Sequence, residues 1–356
     1  MDGERREPHA RQARVNVEPV ALHPGDAASH AVRDAAASAR DVPGFGEDVE
    51  ATLEWARTAV STIPRGHSPR EQWELLATTA VLDVAAARML EPHLDALNIL
   101  FETDAQPHEL APVSATAAST WGVFAAEGPG VRVIAEQSSG QWRLSGTKPW
   151  CSLAGQLSHA LVTAHVEGGR RLFAVNLRSS EVRPHAGPWH ARGLAAVVSA
   201  PVDFDGVVAV PIGDVDWYLR RRGFATGAIG VAAAWWGGAA GLLPTLARAA
   251  RRDDADQLAR LHLGRADAAL WAARAAISEA ADLDHAQPAL LASRVRSIVA
   301  DAAELTLREC DHALGPAPLV ADEAHARRVA DLHLYLRQHH GERDAVRVGR
   351  DAVDAW

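Results

Sequence analysis

The stretch of this sequence best suited to chemistry is Trp150-Cys151-Ser152, near the end of the run QWRLSGTKPWCSLAG. The run is typical of a β-strand, in which successive side chains point to opposite faces. Alternation therefore places Trp150 and Ser152 on one face and Cys151 on the other. An aromatic side chain with a hydroxyl beside it suits a flat ligand whose edge carries polar atoms. In the alternative interpretation, Trp142 and Trp150 are core aromatics and Lys148 is a solvated charge at the rim.

Other catalytic and ligand-binding patterns are missing from the sequence. Cys151 and Cys310 are far apart and form no CxxC pair, so we expect neither a disulfide framework nor a zinc site. The 17 histidines include no HxxxH or HxH pair, so no metal is predicted. No GxGxxG follows a strand and no GxSxG occurs, which argues against the Rossmann and α/β-hydrolase classes.

Composition limits the partners and the compartment. The formal net charge is −9, which argues against nucleic acid because a phosphate-binding surface needs clustered Lys and Arg. The N-terminus lacks the apolar stretch of a signal peptide, and no apolar run reaches the roughly 18 residues of a membrane span. We therefore expect a cytoplasmic protein without a membrane span.

The first part of the chain predicts helices. Residues 1–24 are polar, contain three prolines and predict an irregular tail. From 25 to 111, apolar residues three and four apart predict a helical domain. Ser68 is the expected N-cap of its longest helix, which Pro92 should kink or split.

The rest of the chain predicts first strands and then helices again. From 112 to 212, short β-type runs alternate with turns such as GPG and FDG, which predicts a β-barrel or sandwich. From 213 to 356, long Ala-rich segments with short links predict an antiparallel four-helix bundle. These segments are 222–250, 254–283, 288–313 and 322–353. The predicted fold class is α+β, predominantly α, with a middle β-barrel between two helical regions.

Several stretches, in the right order, resemble the acyl-CoA dehydrogenase family. The run QWRLSGTKPWCSLAG is similar to the family pattern GxWxLxGxKxWxT/SxxG, and WGVFAAEGPGVRV at 121–133 resembles the first flavin strand. The segment 189–211 resembles a later family segment, with Leu194 where Met is usual. Two helical stretches, 225–239 and 262–277, resemble the first two long helices of the family's bundle.

The resemblance implies an FAD-dependent oxidoreductase that acts on the CH–CH group of an acyl thioester, such as an acyl-CoA. It places Trp150 beside the flavin ring and Ser152 near the ring nitrogen that accepts hydride. It places Phe124 and Ala126, two residues apart, on the first flavin strand, with Ala126 where Thr is usual. It also implies a homo-oligomer, a dimer or tetramer, and an electron-acceptor flavoprotein as partner.

The resemblance also calls for a carboxylate base, which takes a proton from the carbon beside the thioester. The family places this Glu either in a loop of the last helical pair or on the first bundle helix. The first position falls at His339 or His340, within LHLYLRQHHGERD, and the second falls at Arg220. Glu342 lies just past the first position. The candidate catalytic residues are therefore His340 and Glu342.

Three functional classes stay open. The first is a divergent dehydrogenase. The second is a flavin-dependent monooxygenase of the same fold, similar to dibenzothiophene monooxygenase, which takes reduced flavin from a flavin reductase and needs no carboxylate base. The third is a non-catalytic subunit paired with an active paralogue. For Trp235-Trp236 two interpretations stay open, a subunit interface and the core of the chain itself.

Overall fold

The computed structural model describes residues 18–65, 68–252, 255–282 and 286–353. The helices are α1 (His30–Ala39), α2 (Val49–Ser61), α3 (Arg70–Leu82), α4 (Val84–Glu102), α5 (Trp217–Arg220), α6 (Arg222–Ala240), α7 (Leu243–Ala250), α8 (Gln257–Asp282), α9 (Pro288–Leu314), α10 (Ala317–Ala321), α11 (Glu323–Tyr335) and α12 (Glu342–Ala352). The strands are β1 (Trp121–Phe124), β2 (Val133–Ser138), β3 (Gln141–Ser152), β4 (His159–Val166), β5 (Gly169–Asn176), β6 (Val182–Pro184) and β7 (Ser199–Ile212). The predicted order of helices, strands and helices is confirmed. Residues 1–17 of the predicted tail lie outside the described residues.

The N-terminal helices differ from the prediction at two positions. The long helix is split at Asp83 and not at Pro92, through which α4 runs without a break. Asp83 has an extended backbone, and its carboxylate accepts a hydrogen bond from the Ala86 nitrogen at 2.9 Å. This cap satisfies a free N–H at the start of α4 and so favours a break there. Ser68 is not the N-cap of α3, because the helix begins at Arg70 and the preceding residue occupies the cap position.

The strands form one sheet that closes on itself. β5 pairs with both β4 and β7, so the ring β4-β2-β3-β7-β5 has no open edge. β1 adds to β4 in parallel, and β6 adds to β7. Closure removes the unpaired backbone groups that a sheet edge presents. The prediction of a middle β-barrel is confirmed.

A β-bulge interrupts the strand that carries the Trp-Cys-Ser stretch. Lys148 pairs with Val202 and Cys151 pairs with Ala200, so two residues of β3 lie opposite one residue of β7. Trp150 lies in this bulge with a φ of 58°, a region that bulky side chains rarely occupy. Lys148 and Cys151 are both buried, whereas Trp150 is 66% exposed. The bulge therefore holds the indole outside the barrel.

The C-terminal helices are more broken than predicted. The segment 222–250 divides after Ala240 into α6 and α7, with Pro244 in the first turn of α7. The segment 322–353 divides near His339 into α11 and α12. α6 packs against α3 as well as α9. The two helical regions therefore share one core, and the predicted C-terminal four-helix bundle is not confirmed.

Helix α6 is the central helix of this core. Trp235 and Trp236 are 0% and 8% exposed within the single chain, and the Trp236 indole donates to the Leu270 carbonyl oxygen at 2.8 Å. The core interpretation therefore holds for both tryptophans. The stretch Arg222–Ala250 is long and apolar enough to cross a membrane, but 67% of its apolar window is buried in the fold. We assign it to the core.

Candidate functional site

A cavity of about 500 Å³ lies between the N-terminal and C-terminal helices. One of its walls carries four polar residues of α4, namely Glu91, Asp95, Asn98 and Glu102. They are four, three and four positions apart, so the helical period places them on one face. This stripe was not predicted from the sequence. Polar residues at helical spacing in an otherwise apolar helix are the pattern that could have revealed it.

The other walls of the cavity are largely apolar. They include Trp73 and Leu76 of α3, Ile229 of α6 and Leu291 of α9. Helix α6 approaches α4 closely because Gly227 has no side chain; a Cβ atom there would lie 3.1 Å from the carboxylate of Asp95. The cavity therefore suits an amphipathic molecule, with an apolar part against three helices and polar groups against α4.

The polar wall contains an ion-pair cluster. The buried Arg221 guanidinium lies 2.7 Å from Asp95 and 2.9 Å from Glu102, so one cation serves two carboxylates. Burial raises the pKa of Asp95, and Arg221 opposes that rise. The Nε atom of Arg221 is buried and has no hydrogen-bond partner among the described residues. The wall thus combines carboxylate acceptors with an unused donor.

Glu91 and Arg88 connect the cavity to the barrel. The Glu91 carboxylate accepts a hydrogen bond from the Arg88 guanidinium at 3.0 Å, and the same guanidinium donates to the Ser152 hydroxyl at 3.0 Å. The guanidinium also lies 5.8 Å from the ring centre of Tyr335. Burial raises the pKa of Glu91, and Arg88 opposes that rise. The polar stripe of α4 therefore continues to the serine of the Trp-Cys-Ser stretch.

Ser152 belongs to a hydroxyl pair between two strands. Its register partner on β7 is Ser199, and their oxygen atoms are 2.7 Å apart. The Ser199 hydroxyl also donates to the Val197 carbonyl oxygen at 3.2 Å. Ser152 keeps 7% of its surface exposed. Both serines lie outside the barrel core, on the side that α4 covers.

The groups on this side of the barrel fit a flavin. Trp150 has an exposed indole face. Its backbone adopts an unfavourable positive φ. The flavin ring is flat and electron-poor and carries nitrogen and oxygen atoms at its edge. An aromatic wall, the Ser152 hydroxyl and the Arg88 guanidinium match such a ring. Of the predicted flavin residues, Trp150 is exposed outside the barrel and Ser152 bonds Arg88 of α4.

Phe124 lies on the first strand as predicted, but Ala126 does not. β1 ends at Phe124, so Ala126 comes after the strand and is exposed. Phe124 is 3% exposed and packs in the barrel core. Its side chain is therefore a core contact, because a flavin outside the barrel could not reach it.

The predicted bases His340 and Glu342 are both exposed and do not line the cavity. His339 is the residue of this loop that turns inward. Its ring lies 6.3 Å from the buried Trp235 ring, and burial lowers the pKa of its imidazole. Within the described residues, the carboxylates that line the cavity come from α4. Glu91 is the one that also contacts Arg88.

Lys148 differs from the alternative interpretation made from the sequence, in which it is a solvated rim charge. Its side chain is 1% exposed, and its ammonium donates to Glu127 at 2.7 Å and to Thr163 at 2.8 Å. Burial lowers the pKa of the amine. The barrel therefore contains an ion pair that is satisfied by hydrogen bonds, which gives Lys148 a structural role.

The fold is that of the acyl-CoA dehydrogenases and of flavin-dependent enzymes that share it. Butyryl-CoA dehydrogenase from Megasphaera elsdenii superimposes with a TM-score of 0.77 at 15% identity, over 91% of this chain and 98% of that chain. Dibenzothiophene monooxygenase (TdsC) from Paenibacillus sp. A11-2 gives a TM-score of 0.73 at 18% identity, over 92% and 98% of the two chains. The expected resemblance in fold is confirmed.

A third similar structure is KijD3 in complex with FMN and dTDP-3-amino-2,3,6-trideoxy-4-keto-3-methyl-D-glucose. It gives a TM-score of 0.68 at 19% identity, over 89% of this chain and 85% of that chain. No protein-family model and no curated protein matches the sequence. At these identities the shared property is the fold, and the chemistry has to be argued from the residues of this chain.

Proposed function

We propose that this protein is a flavin-dependent monooxygenase that acts on a small amphipathic molecule. The observation that carries the proposal is the polar wall of the cavity. The hydrocarbon of a straight acyl chain would lie against the partly exposed carboxylates of Glu91 and Asp95 and remove their contact with water, which is costly. A substrate with hydroxyl or amine groups would instead bond to Glu91 and Asp95. Two of the similar structures, TdsC and KijD3, have been solved with bound FMN.

The loop near the C-terminus supports the same proposal. A dehydrogenase needs a base at the carbon that loses its proton. His340 and Glu342 are exposed and lie outside the cavity lining. A bound reduced flavin supplies two electrons, with which one atom of dioxygen enters the substrate and the other leaves as water. That chemistry needs no carboxylate in this loop.

In this proposal the chain holds the flavin through two contacts. Trp150 packs against the ring, and Ser152 bonds the ring nitrogen that exchanges hydride. The Arg88 guanidinium donates hydrogen bonds to both the Ser152 hydroxyl and the Glu91 carboxylate, and so it fixes the positions of both groups. A flavin reductase would deliver the reduced cofactor. FAD was predicted from the sequence; parallel titrations with FMN and FAD would decide between the two.

A second candidate, a dehydrogenase with a relocated base, is favoured by Glu91. Its carboxylate lines the cavity, and burial raises its pKa, which makes the carboxylate a stronger base. Arg88 and Ser152 would connect this base to the flavin. The substrate would then be a polar acyl thioester rather than a straight-chain one.

Two measurements on the purified protein separate these candidates. Anaerobic addition of acyl-CoA thioesters to the protein with oxidised flavin bleaches the flavin only if the protein is a dehydrogenase. Under air, with NADH and a flavin reductase, a panel of hydroxylated and amine-bearing aromatics is added. If the protein is a monooxygenase, adding its substrate lowers the amount of hydrogen peroxide formed per oxygen consumed. The substrate is then converted to a product with one additional oxygen atom. A protein that binds no flavin contradicts both candidates and supports a non-catalytic subunit.

A further inference from the structure

A second cavity, of about 900 Å³, lies at the C-terminal end of α6. It is bounded by the loop between α1 and α2, the break between α3 and α4, helix α7 and the first turns of α11. Gly230 is the last residue of α6 in the first cavity, and Ala240 is the first residue of α6 in the second. The helical rise of about 1.5 Å per residue separates them by about 15 Å. The second cavity is therefore a separate space that the proposed function does not use.

Most charged groups of the second cavity are already paired. Its lining contains four arginines and four carboxylates, so the formal charges balance. The Arg327 guanidinium lies 2.6 Å from the Glu47 carboxylate and also pairs with Asp83. The Arg328 guanidinium donates to three carbonyl oxygens at the end of α3. The polar groups that are still free therefore decide what the cavity can bind.

The free donors of this lining belong to α7 and α11. His325 is 5% exposed, and its main-chain nitrogen donates to Asp322, but its ring has no hydrogen-bond partner among the described residues. Burial lowers the pKa of the His325 imidazole, so the ring is neutral and has one N–H to donate. Within the part of the chain that the structure describes, the Arg248 guanidinium forms no hydrogen bond or ion pair. Thr245 lies three positions before Arg248 and so lies on the same face of α7.

These donors favour a negatively charged ligand. A guanidinium matches the oxygen atoms of a phosphate or a carboxylate, and the N-terminus of the 13-residue helix α11 is the positive end of its dipole. The same lining contains the apolar side chains of Phe45, Leu82 and Pro244. We propose that the second cavity binds a small organic anion. Its phosphate or carboxylate group bonds to Arg248 and His325, and its apolar part packs against Phe45 and Leu82.

The test is a calorimetric titration of the purified protein with phenyl phosphate and with benzoate, which carry the two anionic groups on the same ring. We expect saturable binding of at least one of them, and about tenfold weaker binding of inorganic phosphate, which lacks the ring. Arg248→Gln should weaken binding of the aromatic anion about tenfold. His325→Phe keeps a ring, removes its N–H donor and should weaken binding about fivefold. Arg251→Gln is the matched control, because Arg251 is exposed at the end of the same helix and does not line the cavity.

FMN also carries a phosphate, so the titration is repeated at saturating FMN. We expect an unchanged affinity; displacement of the aromatic anion by FMN would place it in the flavin site and overturn the inference. No saturable binding, or wild-type affinity in a folded Arg248→Gln variant, overturns it as well. A protein that binds the aromatic anion through Arg248 but takes up no FMN would contradict the proposed function and leave this inference intact. Melting curves establish that the variants are folded.

Discussion

The main-chain nitrogen of Leu194 donates to the Asp331 carboxylate across 2.5 Å. This bond ties the loop between β6 and β7 to α11, and Asp331 is 2% exposed. Gly193 fits the same contact, because a Cβ atom there would lie 1.9 Å from the Ala330 carbonyl oxygen. Leu194 is where the sequence departs from the family's usual Met. The bond needs only its backbone, so the departure leaves the contact intact.

Asp331 should make stability depend on pH. Burial raises its pKa to about 6, and Asp83 adds to the rise. The hydrogen bond from the Leu194 nitrogen and the charges of Arg327 and Arg328 oppose it. The folded protein therefore holds this proton more tightly than the unfolded chain does. The contribution of Asp331 to the free energy of unfolding falls as pH rises from about 4 to about 6 and is constant above that range.

Asp331→Asn tests this sign and keeps an acceptor for the Leu194 nitrogen. We expect the variant to melt about 3 °C or more above the wild type at pH 7, and at the same temperature as the wild type near pH 4. The melting temperatures of the variant and the wild type must be compared at each pH, because His93 changes stability with pH in the opposite direction. Burial lowers the pKa of His93 to about 4, so its contribution to stability rises with pH. Equal melting temperatures at both pH values would refute the assignment.

Trp150→Ala should weaken flavin binding without harming the fold. The indole is 66% exposed, so its removal creates no core cavity. We expect the dissociation constant for FMN to rise about tenfold, which corresponds to about 1.4 kcal/mol of lost ring packing. Trp142→Ala is the control. The Trp142 ring lies 5.3 Å from the Phe173 ring, so this substitution should lower the stability of the fold. Wild-type flavin affinity in a folded Trp150→Ala variant contradicts the site.

Glu91→Gln distinguishes the two candidate functions. If Glu91 only bonds the substrate, the variant should raise KM about tenfold with little change in kcat. If Glu91 is the base of a dehydrogenase, kcat should fall about a hundredfold or more. His340→Gln and Glu342→Gln serve as controls, because both side chains are exposed and we expect wild-type turnover. Loss of activity in either control would restore the loop as the source of the base.

The homo-oligomer predicted from the sequence needs a surface other than Trp235 and Trp236. Helix α8 has exposed large apolar side chains, of which Trp271 is 59% and Leu261 44% exposed. We expect light scattering to report a dimer or tetramer for the wild type and a smaller species for Trp271→Glu. Val320→Glu, at a position 83% exposed on another helix, should keep the wild-type assembly. A monomeric wild type at micromolar concentration contradicts this prediction.

The sequence predicted the architecture well because apolar spacing and turn residues are local properties. It could not predict the break at Asp83, since a capping carboxylate and an internal proline compete and only packing decides between them. Nor could it predict the buried Lys148, because the bulge that turns β3 depends on pairing with β7. The cavity was missed for the same reason. Arg221 meets Asp95 and Glu102, and Arg88 meets Ser152, only through tertiary contacts.

A crystal structure of the protein with bound FMN tests the central claim most directly. We predict that the flavin ring packs against Trp150 and that its hydride-exchanging nitrogen lies about 3 Å from the Ser152 hydroxyl. The substrate cavity along Glu91 and Asp95 should open beside the ring. A flavin ring bound elsewhere would contradict the account. So would a structure that shows no bound FMN at saturating concentration.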